Sequence, residues 1–379
     1  MRIGFQIEHL DPARGGAETY VDRFSRTLLA AGHEVHVITE GHRDLAEGVK
    51  VHALRRYTAH AARAAAEAET LDVVVGVGKC LGMNVYQPHG GTFLGSRRQN
   101  LALIRNPVNR WVRGVLNHVI PKHRAAAALE AEQYAQTAPR PHFVAISQMV
   151  RDDMRRFHNV PDDRLHLVYN GVDTEAFRPE RCAELRPAAR SAWGLSPRTT
   201  CFVLVAHNFR LKGVRELIEA AALVRRHDRD FAVIVVGRGN PAPYERLARK
   251  FAAGGVVRFA GAMRDVLPAY AAADAYLQPT WYDPCSLVVL EAWACGLPVI
   301  TTKFNGAGEL MTPGAEGFVI DTPADTQALA GRMIELLDAD VRAIMAPAAR
   351  ALAERHTLDD NFRGMMAVFE KAAAERNPA

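Results

Sequence analysis

Short apolar segments recur along the whole chain, and most are followed by a stretch with the spacing of an amphipathic helix. The first repeat runs from residues 3–7 through a helical stretch ending at Gly32 to a second apolar segment at residues 35–39. Strand, helix and parallel strand in this order form a βαβ unit. The pattern begins again at residue 200. The sequence therefore predicts an α/β protein with two doubly wound parallel sheets.

The boundary between the two halves is expected where proline interrupts regular structure. Three Xaa-Pro pairs precede the second set of strands, at Pro179, Pro187 and Pro197. A chain of 379 residues is long enough to form two separate cores. We expect a first domain over residues 1–175, completed by a C-terminal helix over residues 358–379, and a second domain over residues 176–357.

Composition argues against several classes of protein. Five cysteines, an odd number without a CxxC pair, argue against a disulfide framework and against a zinc site, and indicate reduced thiols in a cytoplasmic protein. The chain enters a strand at once, so we expect no signal peptide. No apolar segment reaches the roughly 18 residues of a membrane span. The formal net charge of +5 is mild, but it is unevenly distributed.

The most informative stretch covers residues 281–300 and is typical of a loop, a short helix and a strand. Ser286 is the predicted N-cap, its hydroxyl accepting from a free amide, and Gly296 ends the helix. Asp283 precedes the helix, and Glu291 lies about two turns into it. The free amides between the two carboxylates favour a phosphate. Hydroxyl acceptors on either side of an anion site suit a sugar nucleotide, whose diphosphate joins a sugar to a ribose.

This stretch resembles the acidic-x7-Glu signature of the retaining glycosyltransferases of family four, which have the GT-B fold. Asp283 stands where the family usually has Glu, and Cys285-Ser286 replaces the usual Phe-Gly. The Asn-Gly-Val-Asp sequence at residues 170–173 resembles the family's interdomain hinge. The resemblance covers nearly the whole chain and is strongest over residues 200–320, where it looks most like the lipopolysaccharide-core glucosyltransferases.

The resemblance implies a GT-B fold, with two Rossmann-like doubly wound domains facing each other across a cleft. The N-terminal domain would bind the acceptor and the C-terminal domain the nucleotide-sugar donor. Gly15 and Gly16 would let the backbone approach the phosphates or sugar of the donor. His89, at a strand end, would face the donor sugar, and Met263 would lie where the backbone meets the nucleotide base.

Two cations carry the expected chemistry of the leaving group. Arg210 and Lys212 follow the first strand of the second domain, where open α/β sheets bind ligands. Breaking a sugar–phosphate bond leaves negative charge on the diphosphate, which a metal ion or fixed cations must stabilise. The sequence has no convincing Asp-x-Asp loop for a metal ion. We therefore predict that Arg210 and Lys212 form a metal-free clamp, as in the family, and that no cofactor is needed.

The two carboxylates receive separate roles. Glu291, inside the helix, would accept hydrogen bonds from the two ribose hydroxyls. Asp283 would accept from hydroxyls of the donor sugar. Four backbone amides at the helix start would assist it, those of Cys285, Ser286, Leu287 and Val288.

The predicted reaction transfers a hexosyl unit with retention from a nucleoside-diphosphate sugar, expected to be UDP-glucose, to a cell-envelope glycan or glycolipid. A glycosidase with two catalytic carboxylates is one alternative, but it leaves the cationic loop and the Gly-Gly turn without a role. A sugar-nucleotide hydrolase or epimerase on the same fold is a second alternative. A non-catalytic sugar-nucleotide binder is the third.

Residues 90–129 contain seven basic residues and no acidic one. Apolar residues recur there at helical spacing, namely Val108, Trp111, Val115 and Val119. A basic amphipathic helix is attracted to anionic lipid. We therefore expect residues 97–124 to hold the protein peripherally on the inner face of the cytoplasmic membrane. A phosphorylated acceptor or a solvated loop would also explain the charge, whereas nucleic acid is not expected without a recognisable binding fold.

Overall fold

The computed structural model describes residues 1–12, 15–228 and 230–376. The chain divides into two compact units. The first unit comprises Met1–Tyr169 and Asp359–Ala379, and the second comprises Asn170–Leu358. The change of unit falls a few residues before the expected boundary at residue 175. Residues 377–379 of the expected C-terminal segment lie outside the described residues.

The described residues of the first unit contain nine strands. In chain order they are β1 (Arg2–Gln6), β2 (His9–Leu10), β3 (Glu34–Thr39), β4 (Gly41–His42), β5 (Lys50–Ala53), β6 (Val73–Gly76), β7 (Val85–Tyr86), β8 (His142–Ala145) and β9 (Leu165–Leu167). Seven of them form a parallel sheet in the order β5-β3-β1-β6-β7-β8-β9, and β2 pairs separately with β4.

Helices connect these strands. They are α1 (Gly16–Ala30), α2 (Ala59–Glu67), α3 (Phe93–Ala102), α4 (Pro107–Val119), α5 (Pro121–Tyr134) and α6 (Gln148–His158), with a 3₁₀ turn at Asp162–Arg164. Side chains cap several of these helices, because Thr58, Thr92, Asn106 and Ser147 each accept a hydrogen bond from an amide in the first turn.

The second unit alternates helices and strands in the same way. Its helices are α7 (Pro179–Ala192), α8 (Val214–His227), α9 (Ala242–Lys250), α10 (Leu267–Ala272), α11 (Leu287–Ala294), α12 (Thr326–Glu335) and α13 (Ala339–Glu354). Its strands are β10 (Thr200–Val205), β11 (Phe231–Val236), β12 (Val257–Gly261), β13 (Ala275–Gln278), β14 (Val299–Thr302) and β15 (Gly317–Ile320). A 3₁₀ helix spans Gly306–Leu310, and α14 (Leu358–Arg376) ends the described chain.

Both sheets are wound outward from their first strand. The second sheet has the order β12-β11-β10-β13-β14-β15, and all its neighbouring strands are parallel. The strand order reverses between β10 and β13 in this sheet, and between β1 and β6 in the first sheet. Doubly wound sheets bind ligands at such a switch point, beyond the carboxyl ends of the strands.

Each unit has its own apolar core. Phe5 of β1 and Phe369 of α14 both meet the ring of Phe24 on α1 edge-on, with ring centroids 6.2 and 5.9 Å apart from it. The C-terminal helix α14 therefore completes the core of the first unit. In the second unit, every residue of β10 and β11 is buried, as expected for central strands of a parallel sheet covered on both faces.

Candidate functional site

The switch point of the second sheet lies beside two loops that are joined to each other. The loop after β10 carries Arg210 and Lys212, and the loop after β13 carries Asp283. The amide of Trp281 donates to the carbonyl of Leu211 at 2.8 Å. Gly213 has φ +73, and a Cβ there would collide with the carbonyl of Pro279. Only glycine therefore allows the cationic turn to pack this closely against the second loop.

The predicted cation and the predicted carboxylate form an ion pair. The Lys212 ammonium donates to Oδ2 of Asp283, and the Gln278 amide donates to the same oxygen at 2.6 Å. The two charged side chains are 20% and 11% exposed. An ion pair this sheltered from water is screened weakly by salt and holds both groups in place. Arg210, by contrast, is exposed.

Gln278 connects this pair to the start of α11. Its Oε1 accepts from Ser286 Oγ and from the hydroxyl of Tyr276, both at 3.0 Å. Gln278 and Tyr276 are fully buried. Burial raises the pKa of Tyr276 well above its usual value, so its hydroxyl keeps the proton that it donates.

The hydroxyl of Ser286 does not cap its helix. Ser286 is the N-cap residue of α11, as predicted, but its hydroxyl bonds to Gln278 and makes no cap hydrogen bond. Its backbone amide donates to Oδ1 of Asn305 at 3.4 Å. Both donors of Ser286 thus have partners inside the protein, which corrects the prediction that its hydroxyl satisfies a free amide. Asn305 was not singled out from the sequence.

The first turn of α11 is the open part of this region. Residues 281–286 and 289–295 are all buried, whereas Leu287 and Val288 are half-buried. The amides of the first helical residues have no acceptor within the helix and carry partial positive charge. Cys285, just before them, is buried, and burial raises the pKa of its thiol to about 12. That thiol is therefore neutral and not a nucleophile.

Glu291 lies in the second turn of α11 and is also buried. Its Oε2 accepts from the hydroxyl of Tyr270 at 2.9 Å. Burial raises the pKa of Tyr270 well above its usual value, with the nearby Glu291 charge as a second cause. Tyr270 therefore remains a donor and orients the carboxylate. After the helix, Gly296 (φ +75) and Leu297 return their amides to Trp293 and Ala292, which forms a Schellman ending.

The remaining predicted residue of this unit lies beyond a neighbouring strand. Met263 follows the end of β12 by two residues and is half-buried. The amide of Gly237, at the end of β11, donates to the carbonyl of Gly261 at 2.7 Å and fixes this turn. The carboxyl ends of β10, β11, β12 and β13 lie along one edge of the sheet, so Met263 belongs to the same edge as Lys212 and Asp283.

The first unit has its own predicted residues. Gly15 is the N-cap of α1 and Gly16 its first residue. His89 follows β7, and its ring lies 4.2 Å from that of Tyr20, in the second turn of α1. Burial lowers the pKa of His89 to about 3, so the imidazole is neutral. Its buried Nε2 has no hydrogen-bond partner within the described parts of the chain.

The basic segment contains the predicted helix, α4, and its apolar side faces outward. Six apolar residues of α4 are 41–71% exposed, namely Val108, Trp111, Val112, Val115, Leu116 and Val119. The only buried residue that α4 contributes is polar, Asn117. Arg105, Arg110, Arg113, Lys122 and Arg124 are exposed around it. Of the helices described, none is both long and apolar enough to cross a bilayer.

A group of potential metal ligands lies in another part of the molecule. Among the described residues, three or more His, Cys, Asp or Glu ligand atoms converge only at His36, His52 and Glu69, in the first unit. Asp283 and Glu291 do not belong to such a group.

The polar side chains that hold the switch-point loops are Gln278, Asn305 and Tyr270. Sequence reasoning did not name them as functional residues. The one sequence feature that could have found them is that each is a polar residue within or beside an apolar segment.

Comparison with known proteins identifies the architecture. Residues 198–339 match the family described as glycosyl transferases group 1, and residues 84–176 match glycosyltransferase family 4. The chain is 26% identical to the lipopolysaccharide glucosyltransferase WaaG of Escherichia coli over 327 residues, which cover 83% of this chain and 84% of that protein. The chain therefore contains a glycosyltransferase family 4 domain followed by a group 1 domain. The resemblance predicted from the residue 281–300 stretch is therefore confirmed.

Other comparisons bear on the fold. A crystal structure of WaaG covers 100% of both chains with a TM-score of 0.79 and 24% identity, which confirms the predicted α/β fold with two parallel-sheet domains. Anabaena Alr3699/HepE in complex with UDP and glucose matches with a TM-score of 0.72 and 19% identity, over 98% of this chain and 100% of that one. A D-inositol 3-phosphate glycosyltransferase of Corynebacterium urealyticum is 32% identical, but over 57% of this chain and 55% of that protein.

Proposed function

We propose that this glycosyltransferase moves a hexosyl unit from UDP-glucose, with retention and without a metal ion, to a cell-envelope glycan or glycolipid. The observation that carries the proposal is the sheltered Lys212–Asp283 ion pair beside the first turn of α11, at the switch point of the second sheet. It offers a cation, free helix amides and a carboxylate within one edge of the sheet. The WaaG name and the UDP and glucose complex of Alr3699/HepE support the donor and acceptor classes.

Lys212 and Asp283 suggest how donor binding changes the site. Before binding, each charge satisfies the other. A diphosphate is a stronger partner for an ammonium than a single carboxylate, because it carries more charge. Lys212 then turns to the phosphate, and Asp283 is released to accept hydrogen bonds from the sugar hydroxyls. Gln278 keeps its hold on Asp283 during this exchange and limits how far the carboxylate moves.

The remaining groups complete the transfer. Arg210 and the amides of Leu287 and Val288 add positive potential around the diphosphate, so the charge that develops on the leaving group meets preorganised donors. Glu291, oriented by Tyr270, accepts from the ribose hydroxyls. The leaving phosphate oxygen takes the proton of the acceptor hydroxyl on the same face of the sugar, which gives retention without a covalent intermediate.

Turnover with a panel of sugar nucleotides, with and without EDTA, tests this proposal. We expect UDP-glucose to be consumed fastest, with an α-linked product and an unchanged rate in EDTA. Hydrolysis of UDP-glucose at the same rate with and without acceptor would favour the hydrolase alternative. Binding of UDP-glucose without any product would favour the non-catalytic binder. Loss of activity in EDTA that Mg²⁺ or Mn²⁺ restores would contradict metal independence.

We further propose that α4 docks the first unit on an anionic membrane surface. An apolar stripe that leaves its residues 41–71% exposed is unusual for a surface helix, and five exposed cations flank it. Each cation near anionic lipid contributes about 1 kcal/mol before salt screening. Trp111, at 71% exposure, is an aromatic side chain of the kind that anchors at the lipid interface. A lipid-linked acceptor would be presented at the same surface.

Co-sedimentation with vesicles separates this role from the alternatives. We expect binding to vesicles with anionic lipid, weakened by salt, by Trp111→Ser and by Arg110→Glu/Arg113→Glu. Ile344→Ser is the matched control, because Ile344 is an isolated apolar residue of the second unit with 77% exposure. Equal pelleting with neutral and anionic vesicles, or none with either, would contradict docking and leave the charge to a phosphorylated acceptor.

A further inference from the structure

Two histidine rings face each other on β3 and β5, at one edge of the first sheet. His36 Nδ1 and His52 Nε2 are 2.8 Å apart, and the two rings are nearly parallel, with an interplanar angle of 4°. A carboxylate lies at each outer end of the pair. Glu34 Oε1 is 2.7 Å from His36 Nε2, and Glu69 Oε1 is 3.5 Å from His52 Nδ1.

This arrangement contains more acceptors than donors. A carboxylate accepts only, so His36 holds its proton on Nε2 and presents a lone pair at Nδ1. A neutral His52 has one proton for two positions. With the proton on Nε2, His52 donates to His36, but the lone pair of its Nδ1 faces Glu69. With the proton on Nδ1, His52 donates to Glu69, but the lone pairs of His52 Nε2 and His36 Nδ1 face each other. A cation between the rings removes the conflict.

We propose that His36, His52 and Glu69 bind a divalent transition-metal ion of the zinc type. Their ligand atoms all lie within 4.8 Å of one another, and two imidazoles with a carboxylate suit zinc, cobalt or nickel better than magnesium or calcium. The hydrogen bond from His36 to Glu34 has the form in which a metal-bound histidine is oriented by an outer carboxylate. This site is separate from the donor site and is structural.

The geometry needs two adjustments, a separation of the rings and a turn of the Glu69 carboxylate from His52 Nδ1 toward the gap between the rings. Two nitrogens at a tetrahedral zinc ion are about 3.3 Å apart, so metal entry moves the rings apart by about half an ångström. The His52 side chain is 24% exposed and can make this movement, whereas His36 is buried. Arg2 approaches the other oxygen of Glu69, Oε2, at 3.5 Å, which leaves Oε1 for the metal. Lys50 pairs with Glu34 and is 58% exposed.

A second histidine pair in the same sheet provides a control. His142 Nδ1 on β8 lies 3.0 Å from His166 Nε2 on β9. Here two groups face His142 Nε2, the Arg164 guanidinium with Nη1 at 3.1 Å and Glu375 Oε1 at 3.3 Å, so a charged donor lies beside the carboxylate at this end of the pair. In the described residues, Glu375 does not converge with these two imidazoles as Glu69 does with His36 and His52, so this pair is not a candidate metal site.

The experiment uses tag-free protein stripped with a chelator and titrated with Zn²⁺ or Co²⁺ alone. We expect one ion per chain, Co²⁺ absorption bands of a low-symmetry site, and a higher Tm with Zn²⁺. His52→Gln should weaken binding at least about 100-fold, and Glu34→Gln about 10–100-fold because Glu34 orients His36. His166→Gln should bind as the wild type does, and all three variants should keep their transferase activity.

Several outcomes would overturn the site. Wild-type protein without Co²⁺ bands decides against it, whatever the variants do. Equal affinity in His52→Gln, or an equal loss in His166→Gln, would place any bound metal elsewhere. Because the readouts are absorption, stoichiometry and Tm, the result is independent of whether the glycosyltransferase proposal holds.

Discussion

The switch points of the two sheets differ in the charge of the side chains beside them. In the second sheet, Lys212, Asp283 and Gln278 form a sheltered polar network, and Glu291 is oriented by a tyrosine. In the first sheet, the corresponding region contains a Gly-Gly turn and a neutral His89 against an aromatic ring, and the Nε2 of His89 has no hydrogen-bond partner among the described residues. A site for a diphosphate needs charges that are fixed in advance. If His89 faces the donor sugar, as the sequence predicts, it meets hydroxyl groups, which need no such charges.

Lys212→Ala removes a charge from the second switch point, and we expect it to have the largest effect on activity. We expect kcat/KM to fall about 10²–10³-fold, because the developing charge loses a preorganised cation. Circular dichroism should show a folded protein. Lys303→Ala is the matched control, since Lys303 is an exposed lysine paired with Asp321 at 3.2 Å, and such pairs contribute about 0–1 kcal/mol. Near-normal kcat/KM in folded Lys212→Ala would remove Lys212 from the leaving-group role.

Glu291→Ala tests the second charged group and should weaken binding of the nucleotide. A hydrogen bond to a charged group contributes about 1.5–3 kcal/mol, so we expect kcat/KM to fall at least about 10–100-fold. Tyr270→Phe removes only the orienting hydroxyl, so its effect should be about fivefold. Calorimetric titration with UDP measures both variants. If Tyr270→Phe weakened UDP binding more than Glu291→Ala, the ribose role of the carboxylate would be wrong.

Two buried glutamines at matching strand ends extend the comparison to stability. Gln278→Leu takes partners from Asp283, Ser286 and Tyr276, so we expect a loss of about 2–4 kcal/mol in the free energy of unfolding. Gln87, after β7, makes long contacts of 3.4 Å to Tyr20 and to Met365. Its Oε1 has no partner within the described residues, so Gln87→Leu should lower stability by less than about 1 kcal/mol.

Urea unfolding measures this pair of variants. The two units are separate compact bodies, so fluorescence and circular dichroism should be compared for non-coincident transitions before a free energy is assigned. Equal losses of unfolding free energy in both variants would mean that the polar network around Gln278 contributes no more to stability than the long contacts of Gln87.

The fold could be predicted from the sequence because its signals are local and periodic. Apolar strands, helix spacing and glycine or proline at the ends suffice for two doubly wound sheets. The site was predicted only in part. Lys212 and Asp283 were singled out separately, but their pairing depends on two loops 71 residues apart, which no local pattern reveals. Ser286 was correctly placed at the helix start, yet its hydroxyl partner, Gln278, comes from the preceding strand.

The neutral state of His89 at the first switch point can be tested by the pH dependence of stability. Burial lowers the pKa of His89 from 6.5 to about 3 in the folded protein. Between these values the unfolded chain binds the proton and the folded chain does not. Stability therefore falls as the pH is lowered through 6.5, by up to about 1.4 kcal/mol per pH unit for this group, and the contribution of His89 to the slope fades above about pH 7.5.

His89→Asn should remove this contribution. We expect a smaller difference in unfolding free energy between pH 7 and pH 5 than in the wild type, measured by urea titration at each pH. The wild-type slope also contains other histidines, so the difference between the two proteins isolates His89. The same substitution at the exposed His118 controls for the loss of a histidine as such. A slope unchanged in His89→Asn would mean that the pKa of His89 is the same in the folded and unfolded chains, and the first switch point would then gain charge as the pH falls below 6.5.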